Sequence, residues 1–543
     1  MFSIVAMLAA LLWPVAQAQV ADWVLENANI YTVNPAAPKA RAIAIKGSRI
    51  VAVGDVAKHI GPATRRVDAK GATVVPGLID SHGHIAGLGD SLEILDLREA
   101  KSAADIAAQV AKAASQRKPG EWIRGRGWDQ TRWPGAQFPS HELDQASPNN
   151  PVYLSRVDGH AAWVNQKAIE MSDINAATQD PSGGRILREK DGKPTGVLVD
   201  RAMGLVSRRI PPPDAEAVRR RIANAALACA KLGLTTVHDA GTGDREIQAY
   251  KALIANDGLK LRVYAMIGGA GPHWAQWLKT GPEVGEFLTV RSIKLVADGA
   301  LGSRGAAMKE PYSDEPSHRG LTIIRQDEIE RVAKQAVTRG FQVNTHAIGD
   351  AANRAVLDAY AAALGGENDK RFRVEHAQIV SLDDIPLFRR YSIIASVQAT
   401  HATSDMRWAE KRIGSQRILG AYAWQRMLKA GVKLANGSDF PVESPDPMLG
   451  FYASVTRQDA EGYPRGGWQP AQILTREQAL ASWTLWGAYA AFEEKQKGSL
   501  EAGKLADFIL LSQDIMTIPA KDILRTKVTM TVLGGNVVHD ARP

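Results

Sequence analysis

Short apolar segments alternate with longer amphipathic segments over most of the chain. Eight apolar segments separated by helical stretches have the length of buried strands: 73–80, 151–157, 235–239, 292–297, 342–346, 371–376, 393–397 and 433–438. An alternation of this kind is expected for parallel strands joined by crossover helices. Since eight such strands can close on themselves, the pattern predicts an α/β protein built on a distorted (β/α)8 TIM barrel.

Both ends of the chain have a different pattern, in which apolar and polar side chains alternate with a period of two. Such alternation is typical of half-buried strands. The alternating segments are 23–30 and 42–53 around the turn Lys46-Gly47-Ser48, and 507–511 and 528–538 around the turn Gly534-Gly535-Asn536. We therefore predict a small β-sandwich built from both termini, with an N-terminal part at 19–72 and a C-terminal part at 499–543.

The barrel is expected to lie between the two parts of the sandwich, at residues 73–498. A chain of 543 residues exceeds what one compact core can hold, so more than one folded unit is expected. The segment from about 89 to 214 is too long for a single βα unit. We interpret it as an insertion that holds part of a pocket.

The first eighteen residues have the features of an export signal. They carry no charged side chain, include the apolar stretch 5–13, and end in Ala16-Gln17-Ala18. This predicts a signal peptide at 1–18 and a mature protein that is periplasmic or secreted. An uncleaved anchor is the alternative, although about thirteen apolar residues broken by Pro14 are too few to cross a bilayer. We expect no integral membrane segment in the mature chain.

Composition narrows the range of partners. The net charge is +8, but 66 basic residues are scattered among 58 acidic ones without a basic block, so a nucleic-acid partner is not predicted. Cys229 is the single cysteine, which excludes an intrachain disulfide. Because it lies in an apolar, helix-like run, Cys229 is expected to be a buried thiol and not a nucleophile.

Two histidines end the first predicted barrel strand. They belong to the segment Pro76-Gly77-Leu78-Ile79-Asp80-Ser81-His82-Gly83-His84. Residues two apart on a strand point to the same face, so one metal ion could bind both imidazoles. Ordinary surface or core histidines are the alternative for such a pair taken alone.

Further ligand-type residues end later predicted strands. His346 ends 342–346, His376 ends 371–376, and Asp439 directly follows 433–438. In a TIM barrel the carboxyl ends of the strands converge at one rim, where active sites lie. Histidine and carboxylate side chains are ligands that divalent zinc prefers, and the set therefore predicts a metal site.

Lys294 interrupts another apolar strand between Ile293 and Leu295. Burial disfavours the charged ammonium, so the pKa of Lys294 should be lowered. A neutral amine can react with carbon dioxide to form a carbamate with two oxygens that bridge metals. An ion pair with Asp298, or an outward orientation, is the alternative.

The whole pattern resembles the amidohydrolase superfamily, and in particular the amidohydrolase 3 or YtcJ-like family, which includes N-substituted formamide deformylase. The likeness covers nearly all of the mature chain. The segments that carry it are Gly125-Arg126-Gly127-Trp128-Asp129, Val157-Asp158-Gly159-His160, Ala297-Asp298-Gly299-Ala300-Leu301-Gly302-Ser303-Arg304, Thr345-His346-Ala347-Ile348-Gly349-Asp350, Val374-Glu375-His376-Ala377 and Gly437-Ser438-Asp439-Phe440-Pro441.

The resemblance implies a binuclear metal centre with defined ligands. His82, His84 and Asp439 would hold one ion, His346 and His376 would hold the second, and carboxylated Lys294 would bridge the two. The implied cofactors are one or two divalent ions, with Zn2+ expected, and carbon dioxide bound as the lysine carbamate. A single ion held by His82, His84 and Asp439 with help from His346 is the alternative. The family also suggests a homodimer.

The implied activity is metal-dependent hydrolysis of a carbon–nitrogen bond other than a peptide bond, in a small amide, formamide or N-acyl compound. Asp439 would be the base that takes a proton from the attacking hydroxide and passes it to the departing amine. His160 would donate to the oxyanion or orient the leaving group.

Four further residues are predicted to contact the substrate: Trp128, Asp158, Arg304 and His401. Each has a plain structural alternative. Trp128 could pack in the core, Asp158 could cap a helix with His160 packed beneath it, Arg304 could form a surface salt bridge, and His401 could lie in an exposed loop.

Other functions use the same residues. A deaminase, a lactonase, a phosphotriesterase or an isomerase could be built on this metal site. An exported binding protein without activity is a further alternative, but such a protein has little reason to keep the complete set of predicted ligands.

Overall fold

Eight parallel strands form the main sheet of the larger of two units in the computed structural model. The structure describes residues 19–130, 133–156, 161–181, 184–268 and 272–542, so the predicted signal peptide lies outside it. The first unit comprises the described residues up to 83 together with 227–243 and 259–542, and the second comprises 84–226 and 244–258.

The main sheet is a nearly closed barrel. Its strands, numbered here 1 to 8 in chain order, are Leu78–Gly83, Leu234–Thr242, Arg262–Gly268, Leu288–Val296, Gln342–Ala347, Arg373–His376, Ile394–Gln398 and Leu434–Gly437. Each pairs in parallel with the next. The backbone N–H of Asp439, just after strand 8, donates to the carbonyl of His82 in strand 1 at 2.7 Å. The predicted TIM barrel is confirmed.

One of the predicted barrel strands was wrong, and one barrel strand was missed. Val152–Arg156 pairs in parallel with Ile123–Trp128 and antiparallel with Ala161–Val164, in a separate sheet of the second unit. Arg262–Gly268 takes the place of strand 3. A short buried strand has the same apolar composition in either sheet, so the pattern could not tell which sheet the strand joins.

The two chain ends form a β-sandwich in the first unit, as the sequence predicts. One sheet has the strand order Arg49–Val53, Ile43–Lys46, Trp23–Glu26, Arg65–Asp68, and the other Asn536–Asp540, Val528–Leu533, Phe508–Leu511, Thr73–Pro76, Asn29–Tyr31, Lys39–Ala40. A single buried cluster includes Leu25 and Ile43 from the N-terminal part and Phe508 and Met530 from the C-terminal part. Neither chain end could bury its apolar face without the other.

The helices of the first unit include amphipathic segments between the barrel strands. In Gln326–Arg339, Ile329, Val332 and Ala336 are buried on one face, and the helix ends at Gly340 with a φ of 76°. The remaining α-helices of this unit are Pro272–Thr280, Asp350–Leu364, Ile385–Arg390, Ala399–Asp405, Ala409–Arg417, Trp424–Lys429, Pro447–Thr456, Arg476–Ser482 and Leu485–Ala490. A further helix, Ala215–Lys231, begins in the second unit and ends in the first, and it carries the buried Cys229.

The second unit contains the segment that the sequence suggests is an insertion. Its sheet has the strand order Gly184–Arg188, Pro194–Asp200, Ala161–Val164, Val152–Arg156, Ile123–Trp128, Leu95–Asp96. Its helices are Ile85–Ser91, Ala103–Ala114, Glu142–Ala146, Gln166–Met171, Gly204–Ser207 and Asp244–Ala255. Within the described residues of both units, no helix combines the length and the apolar composition needed to cross a bilayer.

Barrel strand 3 begins with an arginine that is buried against the sandwich. Arg262 donates from Nε and Nη2 to the carboxylate of Asp507 at 2.7 and 3.0 Å, and the two side chains are 1% and 3% exposed. The same carboxylate accepts a hydrogen bond from the backbone N–H of Gly534 at 2.7 Å. Asp507 directly precedes strand Phe508–Leu511, and Gly534 lies in the turn after strand Val528–Leu533. The ion pair therefore connects barrel strand 3 to these two strands of the sandwich.

Asp507→Ala should destabilise the first unit by about 3–5 kcal/mol, because the buried Arg262 guanidinium loses its two-bonded carboxylate partner and keeps only the more exposed Glu286, at 3.4 Å. The matched control is Asp327→Ala, which removes the partner of Arg325 in a pair whose side chains are 68% and 81% exposed. The control should cost less than about 1 kcal/mol. Urea denaturation followed by circular dichroism measures both changes, and equal midpoints for the two variants would contradict the prediction.

Candidate metal centre

Three predicted metal ligands meet at the carboxyl ends of the barrel strands. His82 lies in strand 1, His376 ends strand 6, and Asp439 follows strand 8. Each offers a ligand atom, and these atoms all lie within 4.8 Å of one another on buried side chains. Residues that are more than 350 positions apart in sequence, such as 82 and 439, are brought together because the strand ends converge at one rim.

A hydrogen bond at Nδ1 orients the ring of each of the two histidines. His82 Nδ1 donates to Glu375 Oε2 at 2.5 Å, and His376 Nδ1 donates to Gln398 Oε1 at 2.7 Å. Because Nδ1 is used in both rings, Nε2 is the nitrogen left to bind an ion. Metal-binding histidines are usually oriented by a hydrogen bond of this kind.

Lys294 lies in strand 4 and also faces this group. Its Nζ is 3.3 Å from His82 Nε2, and burial lowers the pKa of Lys294. The alternative ion pair with Asp298 is not supported. Asp298 instead accepts hydrogen bonds from the backbone N–H groups of Ala307, Ile348 and Gly349 at 2.8, 3.0 and 2.8 Å.

His346 extends the group along strand 5. Its ring centroid lies 4.5 Å from that of His376. His346 Nε2 is buried and makes no hydrogen bond of acceptable geometry within the described residues, although Asp298 Oδ1 lies 3.3 Å away. A buried ring nitrogen without a hydrogen bond is costly in a protein without metal and is expected where it serves as a ligand. The donor set therefore fits a divalent ion.

The backbone is strained at two of these residues. His376 has a φ of 73° and Asp439 has a φ of 61°, which residues other than glycine rarely adopt. Strained conformations of this type concentrate at functional sites, where the surrounding structure holds them in place.

A buried carboxylate connects the two strands that carry His82 and Asp439. Asp80 accepts hydrogen bonds from the N–H of His82 at 3.0 Å and from the Ser438 hydroxyl at 2.6 Å, and a further one from the Ser438 N–H. Burial raises the pKa of Asp80 to about 7, although these hydrogen bonds act in the opposite direction. The contacts hold the ends of strands 1 and 8 together.

Sequence reasoning missed four residues that support the predicted ligands. Glu375 and Gln398 orient histidine rings, Asp80 connects two strands, and Asp298 fixes the loops after strands 4 and 5. The sequence contains only a weak indication of these four residues. Each is a polar residue at or near the end of an apolar strand, which indicates a buried polar contact without naming its partner.

The predicted roles of His84 and of two predicted loop residues are not tested by the structure. His84 is half-buried at the start of the second unit, directly before helix Ile85–Ser91, and its role as a ligand stays a prediction. Asp158 and His160 lie outside the described residues.

The prediction that Trp128 lines a substrate pocket is contradicted by its burial. Trp128 is 0% exposed, its Nε1 donates to the carbonyl of Leu154 at 2.8 Å, and its ring packs near Trp133 and Trp163. It is a core residue of the second unit. The indole has no free surface for a ligand because its apolar area and its N–H group are both used.

Arg304 is placed in a salt bridge and not at the group of predicted ligands. Its Nε and Nη2 donate to the carboxylate of Asp314 at 3.1 and 2.9 Å, and Glu315 lies 3.3 Å from Nε. This agrees with the structural alternative. A substrate carboxylate would have to compete with Asp314 and Glu315 for this guanidinium.

His401 lies beside the ligand group and not in an exposed loop. It belongs to helix Ala399–Asp405, directly after strand 7, and its side chain is 13% exposed. His401 Nε2 is 3.6 Å from Asp439 Oδ2, and its ring stacks on that of His376 with centroids 5.9 Å apart. The position fits a residue that contacts the substrate or Asp439.

A TIM barrel with a buried group of histidine and aspartate ligands at one rim defines a class of metal-dependent hydrolases. The sequence model described as "Amidohydrolase family" matches residues 65–539. The protein belongs to this amidohydrolase family.

Three related proteins are similar in sequence to this chain over nearly its whole length. The protein LONG AFTER FAR-RED 3 of Arabidopsis thaliana is 34% identical over 96% of this chain and 92% of its own length. "Putative amidohydrolase YtcJ" of Bacillus subtilis is 31% identical over 94% and 98%, and the N-substituted formamide deformylase of Arthrobacter pascens is 27% identical over 95% and 98%. The family resemblance drawn from the motifs is confirmed.

A solved structure supports the same conclusion. An uncharacterized metal-dependent hydrolase from Pyrococcus furiosus superimposes with a TM-score of 0.76 at 28% identity, covering 91% of this chain and 100% of its own. The chain is therefore a hydrolase of a metal-dependent family, with a mixed α/β barrel fold.

Gly437→Ala tests whether strands 1 and 8 must touch for the centre to form. A Cβ at Gly437 would lie 2.6 Å from Asp80 Oδ1 and 2.6 Å from the backbone nitrogen of His82, closer than real contacts allow. We expect a loss of about 1–3 kcal/mol in stability and a lower Zn2+ content after metal loading, because His82 must move.

Gly366→Ala is the matched control, since nothing lies within 4 Å of its added Cβ. Denaturation midpoints and metal analysis by mass spectrometry should separate the two variants. If Gly437→Ala retains wild-type stability and wild-type zinc content, the closure of the barrel does not position His82.

Proposed function

We propose that the protein is a metal-dependent amidohydrolase that cleaves a carbon–nitrogen bond in a small amide, formamide or N-acyl compound. The observation that carries the proposal is the buried group of His82, His376 and Asp439, whose ligand atoms lie within 4.8 Å of one another. Family membership supports hydrolysis, and the relative named N-substituted formamide deformylase supports this bond type.

The residues proposed to hold the metal are those that the family resemblance implies, and three of them form the buried group described above. His82, His84 and Asp439 would hold one ion, and His346 and His376 the other. Nitrogen and carboxylate ligands of this kind suit zinc. When bound, the metal supplies a water with its pKa lowered towards about 7 and polarises the carbonyl of the substrate.

Lys294 would contribute as a carbamate. Because burial lowers the pKa of its ammonium, the neutral amine can add to carbon dioxide and lose a proton to give a carbamate. The position of Nζ, 3.3 Å from His82 Nε2, puts the new oxygens beside the predicted ligands.

Asp439 is the proposed base. Its Oδ1 lies 3.6 Å from His82 Nε2 and its Oδ2 lies 3.6 Å from His401 Nε2, so the carboxylate is held between the ligand group and a histidine next to it. Asp439 takes the proton of the attacking water and delivers it to the nitrogen of the departing amine. His401 steadies the carboxylate through Oδ2. His160 and Asp158 are proposed to orient the substrate.

Asp439→Asn should lower turnover by about 10²- to 10⁴-fold, since the amide cannot accept the proton. Activity would be measured on metal-loaded protein with N-formyl amines, N-acyl amino acids, dipeptides and cyclic amides. Asp358→Asn, at an exposed helix position paired with Arg354, is the control and should keep full activity. If no compound is hydrolysed by the wild-type protein, a binding protein or another reaction takes the place of this proposal.

Removal of metal should abolish the same activity. Dialysis against a strong chelator is expected to reduce hydrolysis to background, and added Zn2+ should restore it in proportion to bound metal. The measurement compares turnover with metal content at each step of reloading. Full activity in protein shown to contain less than one ion per ten chains would rule out metal-dependent hydrolysis.

A further inference from the structure

Two different kinds of side chain hold the two histidines of the metal group. Glu375 accepts from His82 Nδ1 at 2.5 Å, whereas Gln398 accepts from His376 Nδ1 at 2.7 Å. Both acceptors are buried, with Glu375 at 0% and Gln398 at 3% exposure. The two hydrogen bonds have nearly the same length and burial. The acceptors differ in charge, because Glu375 is a carboxylate and Gln398 is a neutral amide.

The identity of each acceptor atom is defined by its surroundings. Gln398 Nε2 faces the carbonyl of Ser396 at 3.5 Å, so its amide oxygen is the atom turned to His376. A carboxylate has acceptors only. Both histidines therefore carry their proton on Nδ1 and offer Nε2 to the ion.

Glu375 also belongs to a buried charge arrangement that includes a positive partner. Its Oε1 makes no hydrogen bond within the described residues and lies 3.9 Å from Arg373 Nη1. Arg373 is itself anchored by the carbonyl of Ala490 at 2.6 Å and by His238 Nδ1 at 3.0 Å. A carboxylate this deeply buried needs positive charge nearby, which Arg373 and Lys294 supply in part, and an ion bound by His82 would add to it.

We infer that Glu375 and Gln398 are positioning residues that make the two halves of the metal centre unequal, so that the ion on the His82 side is bound more tightly than the ion on the His376 side. A carboxylate behind an imidazole raises its donor strength, while a neutral amide orients the ring with less effect. The inference rests on the proposed function in that it requires two ions at these residues, one held by His82 and the other by His376.

The consequence is stepwise loading. The His82 side fills first and retains its ion, while the ion on the His376 side exchanges with solution. Outer partners of this type typically change metal affinity by about 10- to 100-fold, which is enough to separate two binding steps in a titration.

The test is a titration of metal-free full-length protein with Co2+ and with Zn2+, using a competing chromophoric chelator and the visible spectrum of bound Co2+. Glu375→Gln should weaken the tighter step by about 10- to 100-fold and leave the weaker step in place. Gln398→Glu should tighten the weaker step and leave the tighter one unchanged. Glu367→Gln and Gln335→Glu, both at exposed positions, are the matched controls and should change neither step.

The design separates positioning from damage to the fold. General disruption would weaken both steps together and lower the denaturation midpoint of the metal-free protein, whereas the inference requires a change confined to one step. Gln398→Glu keeps the oxygen that accepts from His376 and loses only the 3.5 Å contact between Nε2 and the Ser396 carbonyl, so it decides the question even if Glu375→Gln folds poorly.

The outcomes are also distinct from a failure of the proposed function. If the wild-type protein binds only one divalent ion, or binds two and both variants leave the two affinities unchanged, the inference is overturned and a metal-dependent hydrolase still stands. If the wild-type protein binds no divalent ion, the inference and the proposed function are overturned together. If it binds ions and the variants shift opposite steps, the inference is supported whatever substrate is hydrolysed.

Discussion

The contact between the first and last barrel strands is the constraint on which the rest of the site depends. Asp80 accepts hydrogen bonds from the backbone of His82 and from the hydroxyl and backbone of Ser438. Asp439 N–H in turn donates to the carbonyl of His82 at 2.7 Å. Gly437 allows this approach, since any larger residue would press on the carboxylate. The contacts that close the barrel therefore also fix the positions of His82 and Asp439.

The second requirement is that titratable side chains lie in the interior of the barrel rim, where burial shifts their pKa values. His82, Lys294 and Glu375 are all enclosed, and burial lowers the pKa of His82 to about 4, further lowered by Lys294 and opposed by Glu375. A ring that stays neutral in this way is ready to donate its lone pair to an ion. The same burial disfavours the charged form of Lys294. The interior thus favours the neutral forms of both side chains.

A buried ion pair connects the sandwich to the barrel within the first unit. Arg262 starts a barrel strand and Asp507 starts the C-terminal strands, and each is buried because the other is present. The sequence gives no local sign of this pair, because an arginine at the start of a strand does not name its partner. Its partner lies 245 positions away.

The sequence by itself determined the fold class, the sandwich from both termini and the strand ends at which His82, His346, His376 and Asp439 lie, because hydrophobic periodicity and strand-end position are local properties. It also indicated Lys294, since a lysine inside an apolar strand is locally anomalous. Only the tertiary structure decided what each side chain touches, including the carboxylate behind His82 and the burial of Trp128 in a core. The contact behind His82 joins residues 293 positions apart, and the burial and distances that decide such contacts exist only in the folded protein.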